Sequence, residues 1–174
     1  MMIEKSSWAN AMINQDFICV ATYSGYRMSR FDPQGKQLYL ELDASHAEIG
    51  LAVRNALMAS RFVLPAPRSD VVAHPEVTYD RDLYDYEKSA EFYESWIRYT
   101  MDRYGYKTKR KMFGSMSLCN LECTSGMISM VPTAHVKIEA WESLPKGEEI
   151  MVKMSAGDAE IGAALKAAFG KCLT

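Results

Sequence analysis

Four cysteines, three histidines and two runs of charge are the residues of this 174-residue chain whose types and spacing could do chemistry. The cysteines are Cys19, Cys119, Cys123 and Cys172. Cys119 and Cys123 have the one suggestive spacing. In a regular strand, residues four apart share a face but lie about 13 Å apart, too far for one metal ion or a disulfide. The thiols therefore read as small buried hydrophobes. His46, His74 and His135 are widely separated and read as scattered surface side chains. There is no Gly-rich phosphate loop, nucleophile elbow or His-Glu-x-x-His pair. No cofactor, no metal and no catalytic residue are expected, and the chain reads as a non-enzyme.

The charge runs remain. One is acidic: Glu76, Asp80, Asp82, Asp85, Glu87, Glu91 and Glu94, interrupted by Arg81 and Lys88. Glu87, Glu91 and Glu94 follow at spacings of four and three and share one face of a helix. Asp80, Asp82 and Asp85 fall before or in its first turn, where the helix dipole favours them. Such a surface is either a solvated helix start or a dock for a basic partner, speeding encounter and fixing orientation. The other run is basic: Arg103, Lys107, Lys109, Arg110 and Lys111, with Tyr104 and Tyr106 interleaved. Phosphate contacts and ring stacking could let it bind RNA. A nucleic-acid footprint should be larger and more coherent, and the net charge is −2. Direct nucleic-acid binding is therefore not expected; Tyr106, Lys107, Lys109 and Arg110 stand as secondary interaction candidates. The segment reads as a strand, which would divide its charges between two faces and guard an exposed edge.

The elements that must position these groups include a repeated unit. Asp43–Leu57 aligns with Ser155–Phe169 at a constant offset, placing Glu48 on Glu160, Ile49 on Ile161 and Gly50 on Gly162. The preceding strands align too, with Leu38 and Leu40 on Ile150 and Val152. Two strand-turn-helix units, about 35–62 and 147–172, are too few for a solenoid. They predict a single domain over 1–174 with internal pseudo-symmetry, both helices packing on a common sheet. The first helix begins near Asp43 or Ser45; Ser45 with Glu48 makes a capping box. Gly50 costs about 1 kcal/mol against alanine in a helix, so its recurrence at Gly162 suggests close approach of helix to sheet. A longer helix spans about Tyr84–Tyr104, with an aromatic band and Gly105 as its cap. Leu118–Thr124 and Met127–Val131 form a hairpin about Ser125-Gly126, and His135–Trp141 is a further strand. Residues Met1–Asn14 have no clear period and read as a short helix or an irregular arm. Residues 65–79, with three prolines, read as a connection of variable shape. The fold class is α/β of the α+β type, with helices on a largely antiparallel or mixed sheet.

At 48% apolar content an ordinary core is available, and no run of eighteen apolar residues offers a membrane span. Met1–Trp8 lacks a signal peptide's apolar stretch, so a cytoplasmic protein with no membrane role is expected. Several words together carry a family likeness: Tyr23–Arg30, Ser60–Pro65, Tyr104–Phe113 and Ala159–Leu165. In their order and spacing the chain resembles the immunity proteins of bacterial contact-dependent growth inhibition systems, from about Phe17 to Cys172. The resemblance implies one-to-one binding of a cognate toxin's C-terminal domain, often a nuclease, by occlusion. It supplies no catalytic residues. The candidate toxin contacts are Asp80, Asp82, Asp85, Glu87, Glu91 and Glu94, as phosphate mimics. The words themselves could simply hold the scaffold.

Overall fold

The strand Ser6–Ile13 (β1) runs through the middle of an eight-stranded sheet, where a helix or an irregular arm was expected. Its sequence hides it because both faces are buried. Ala9 and Ala11 meet one core and Met12 the other, so no apolar-polar alternation is left to read. The computed structural model describes residues 3–174; the expectation for Met1 and Met2 lies outside the described residues.

After β1 come Ile18–Gly25 (β2), Ser29–Phe31 (β3), Gln37–Leu40 (β4) and the helix His46–Met58 (α1). A two-residue strand, Val63–Leu64 (β5), pairs in parallel with Thr78–Tyr79 (β6). A 3-10 turn at Asp82–Tyr84 leads into Tyr86–Tyr104 (α2), followed by Lys109–Phe113 (α3). The second half repeats the first: Ser117–Thr124 (β7), Met127–Lys137 (β8), Ala140–Ser143 (β9), Ile150–Lys153 (β10) and Asp158–Lys171 (α4).

Each half is thus four strands and a helix. The second strand of each half pairs with the other three, and β1 joins β7 between the halves, every pairing of the large sheet being antiparallel. The registers match as well. The pair Ala11↔Val20 in the first half corresponds to Leu121↔Met130 in the second, and Val20↔Leu38 to Met130↔Ile150. The pseudo-twofold passes near Asn10↔Asn120, where the halves join.

The helices cover both faces of the sheet. α1 and α4 lie side by side over Ala9, Val20, Leu121 and Met130, burying one stripe of Ile49, Val53 and Leu57 and another of Ile161, Leu165 and Phe169. The capping box is formed: the Glu48 N–H donates to Ser45 Oγ at 3.1 Å and the Ser45 N–H to the Glu48 carboxylate at 2.8 Å. The repeated glycines mark contact between helices, a correction to the expected approach to the sheet. A Cβ on Gly50 would lie 1.7 Å from the Asp158 carbonyl oxygen, and one on Gly162 1.8 Å from that of His46. Each helix therefore passes under the first turn of the other, and Arg54 adds a tie, donating to Asp158 at 3.0 Å.

On the opposite face α2 and α3 pack Trp96, Ile97, Met112 and Phe113 against Phe17, Cys19 and Ala21. Tyr39 of β4 is half-buried under this layer, its hydroxyl 2.7 Å from that of Thr100 of α2. Two other expectations change. Residues 109–113 are helical, not a strand: Thr108 accepts the Lys111 N–H and starts the turn, and Met112 and Phe113 drop into the core. His135–Trp141 is not one strand but a tight β8–β9 hairpin, with an irregularity between His135 and Lys137.

Candidate functional site

The acidic run sorts itself into structural and free carboxylates once the fold brings partners to it. Asp80 is drawn out of the surface by Arg61, which donates to it at 2.7 Å. The same guanidinium grips the fully buried Asp32 at 2.8 and 3.0 Å. Asp32 also accepts from Ser24 Oγ at 2.6 Å and the Gln34 N–H at 2.9 Å. Burial pushes the Asp32 carboxyl up, but the Arg61, Ser24 and Gln34 donors outweigh it and hold the group below the usual carboxylate range. Asp80 is lowered chiefly by Arg61. Asp85 caps α2, accepting the Lys88 N–H at 3.0 Å. Asp82 binds the Lys88 ammonium at 2.8 Å.

Glu94 shares Lys109 with Glu139, at 3.1 and 3.6 Å. Among the described residues, Glu87 and Glu91 have no cationic partner and stand exposed on α2. Of the six predicted carboxylates, which lead into α2 or lie on its first half, only Glu87 and Glu91 have neither a cationic partner nor a capping role among the described residues.

The basic run is divided in the same way. Lys109 is engaged by the two glutamates. The Tyr106 hydroxyl donates to Asp16 and accepts from Asn14 and Gln15, each at 3.0 Å. Tyr104 stacks on Phe17 with ring centroids 4.5 Å apart. The two rings that nucleic-acid stacking would require are thus spent on the scaffold, leaving Lys107 and Arg110 exposed without carboxylate partners among the described residues. Two of the three histidines are occupied as well: His135 stacks on Trp141 at 4.7 Å, and His74 accepts the Glu76 N–H, while His46 stands exposed in the first turn of α1. Among the described residues, no group of three or more His, Cys, Asp or Glu side chains is placed to hold a metal ion.

Beside the start of α2 lies a groove of about 750 Å³ that sequence reasoning missed. Tyr26, Leu64, Val77 and Tyr84 line it, and the proline-rich segment 65–75 walls it. Around it Met28 and Val72 are 79% and 89% exposed, and Val71 and Tyr79 about half. The available signals were the three prolines and the adjacent apolar pair Val71-Val72 within a segment that reads as a connection.

A family model described as CDI immunity protein matches residues 7–172. The chain belongs to the CDI immunity protein family. It is 45% identical over 172 residues to Immunity protein CdiI-YPIII of Yersinia pseudotuberculosis serotype O:3 (strain YPIII), covering 98% of this chain and 97% of that one. A chain of a CdiA-CT/CdiI toxin and immunity complex from Yersinia pseudotuberculosis matches with a TM-score of 0.94 at 45% identity, over 97% of this chain and 98% of that one. A protein of unknown function from Neisseria meningitidis matches at 0.83 and 30% identity, over 99% of each.

In this CDI immunity protein the words that carried the likeness are largely scaffold. Ser60 Oγ donates to the Tyr23 carbonyl at 2.6 Å and accepts the Trp8 N–H at 3.0 Å. Ser24 Oγ accepts the Arg61 N–H at 2.8 Å, and the Gly25 N–H returns to the Arg61 carbonyl. Tyr23–Arg30 and Ser60–Pro65 are thereby stitched to each other and to Asp32. These requirements are internal to the fold and independent of which toxin is met.

One thiol contact also escaped the spacing argument. Cys119, buried in β7, sits with its sulfur 3.6 Å from that of Cys172 at the end of α4. The Cys119 hydrogen bond lowers the Cys172 thiol, while the same contact and burial raise Cys119. Burial pushes Cys19 up to about 12. Since the thiolate is the nucleophile, Cys172 is expected to take up iodoacetamide in the folded protein before Cys19 or Cys123. Peptide mass spectrometry of a time course reads the order directly.

Proposed function

We propose that this CDI immunity protein binds the C-terminal toxin domain of its own contact-dependent growth inhibition system, one to one, in the bacterial cytoplasm. It neutralises the toxin by covering a surface the toxin needs. The observation that carries this reading is the likeness, along nearly the whole chain, to a protein taken from a toxin and immunity complex. Among the described residues no helix is long and apolar enough to cross a membrane.

The toxin is read as a nuclease, and the acidic edge supports that choice. A site that receives nucleic acid must attract phosphate and is electropositive. Glu87 and Glu91, one turn apart on α2 and without a cationic partner among the described residues, offer carboxylates to such a site. Glu94 joins them when Lys109 is held by Glu139. Asp82 and Asp85 extend the edge, and Asp80 serves it indirectly by fixing the segment before α2 to Arg61.

Calorimetric titration with the toxin domain of the same locus, at two salt concentrations, tests the function. Tight one-to-one binding with loss of toxin activity supports it; no binding to the folded domain sinks it. Reversal of Glu87, Glu91 and Glu94 to lysine is expected to weaken association at least about tenfold at low salt and less at high salt, since exposed charges are screened. Unchanged affinity and salt dependence in that triple variant would remove the acidic edge from the interface.

A further inference from the structure

The groove beside α2 holds cations that the fold does not neutralise. The Arg30 guanidinium sits over the Tyr84 ring, 4.1 Å from its centroid, with its Nε buried and without a hydrogen-bond partner among the described residues. Neither Arg30 nor its neighbour Arg27 has a carboxylate partner among the described residues; Arg68 across the groove is paired with Asp70. Apart from His74 and the rings of Tyr26, Tyr79 and Tyr84, the rest of the lining is apolar, and Met28 and Val72 stand largely exposed on it. Clustered apolar side chains on a rim, with Tyr and Arg beside them, have the composition of a protein interface core.

From this we infer that the groove is a second half of the toxin interface and receives an acidic-apolar loop of the toxin. An apolar side chain of that loop fills the space over Tyr84. A neighbouring Asp or Glu bonds the guanidinium of Arg30, with Arg27 at the entrance. The inference rests on the toxin-binding reading above and goes beyond it by naming the chemistry of a second contact.

Three observations favour this occupant. The unpaired charge in the groove is positive, so it selects a carboxylate and rejects the basic surface that the acidic edge accepts. Arg presents a planar fork suited to bidentate carboxylate binding, and stacking on Tyr84 holds that fork in place before the partner arrives. The groove also adjoins the start of α2 along the chain: Tyr84 lines it, and Glu87 follows three residues on, in the first turn of the helix. One partner can therefore span both, meeting negative charge on α2 and positive charge in the groove. Two patches of opposite sign in fixed order set the orientation of docking, which a single acidic patch cannot do alone.

The test is titration of the cognate toxin domain with the wild-type chain and with Val72→Asp, Arg30→Gln and Arg27→Gln, each checked for an unchanged melting curve. Val72 is nearly fully exposed, so its substitution leaves the fold intact and guards against a trivial loss. Val72→Asp is expected to weaken binding at least about tenfold, because its charge repels the acidic loop and its polarity opposes apolar contact. Arg30→Gln should weaken binding by a similar factor. Amide exchange in residues 66–74 should slow in the wild-type complex. Wild-type affinity in Val72→Asp and Arg30→Gln, with unchanged exchange in 66–74, would overturn the groove while leaving toxin binding in place. Absence of wild-type binding would overturn both readings. Self-association through the groove, seen by sedimentation of the chain alone and abolished by Val72→Asp, would replace the toxin with a second copy and overturn the proposal.

Discussion

Arg61→Ala is expected to destabilise the protein by about 3–5 kcal/mol, because it strands a fully buried carboxylate. Arg61 makes three charged hydrogen bonds, two to Asp32 and one to Asp80, and its side chain is only 25% exposed. Water can partly replace it at Asp80 but not at Asp32. A loss of this size lowers the melting temperature by roughly 10 °C in a chain of this length. Arg61→Lys keeps the charge but not the fork, so it should recover part of the loss and no more. The pH dependence carries a definite sign. The Asp32 carboxyl sits below its ordinary value in the folded state. Its contribution is therefore complete above the ordinary carboxylate range and disappears as pH falls through the lowered folded value. Asp32→Asn should cost stability at neutral pH and flatten the acid limb of a stability-pH curve. Thermal melts between neutral and acid pH measure both; a full-strength acid limb in Asp32→Asn would show that other carboxylates govern acid unfolding.

The effect should extend to the candidate interface. Arg61 connects the β2–β3 region to Asp80, which directly precedes the turn into α2. Loosening that anchor frees the beginning of the acidic edge and one wall of the groove together. Arg61→Ala should therefore lower toxin affinity without removing any residue from the proposed contact surface.

The second large effect concerns the two glycines. In an exposed helix Gly→Ala gains about 1 kcal/mol. Gly50→Ala and Gly162→Ala should do the opposite, each costing about 1–3 kcal/mol or more, since the new methyl would fall within 2 Å of a backbone carbonyl oxygen. Backbone cannot step aside as a flexible side-chain tip can, so α1 and α4 must separate. Because both substitutions act on one gap, the double variant should lose less than the sum of the singles. Gly170→Ala is the control: among the described residues nothing lies within 4 Å of its added Cβ, and a gain of up to about 1 kcal/mol is expected. Denaturant melts of the four variants decide the matter. Neutral behaviour in Gly50→Ala would mean that the helices are not held at this separation.

Several parts of this architecture were legible in the chain before folding. Ser45 with Glu48, the stripe from Ile49 to Leu57 and its copy from Ile161 to Phe169 are local signals, and the helices formed where they lie. Ser125-Gly126 likewise formed its hairpin, with both residues at positive φ, as the tight turn requires. Gly105 capped α2 in the left-handed conformation. The family likeness spanned almost the same residues that the family model matches. β1 was invisible because burial on both faces erases the alternation by which a strand is read. Residues 109–113 misled because alternating charge mimics an edge strand, whereas Thr108 and the buried pair Met112 and Phe113 favour one helical turn.

What the sequence determined by itself was therefore the repeated unit, most helices and the class of protein. These rest on periodicity, caps and turns, all set by residues within a few positions of one another. The state of each charge was decided only in three dimensions. Asp80 and Glu87 look alike in a list of acids, yet one is held by Arg61 and the other is left to solvent or a partner. Arg30 and Arg61 look alike among the bases, yet among the described residues Arg61 meets carboxylates and Arg30 meets none. A charge is stabilising, costly or available for binding according to what stands within about 4 Å of it. Those neighbours come from chain segments tens of residues away, so only the tertiary structure could separate the groups that hold this fold from those free to hold another protein.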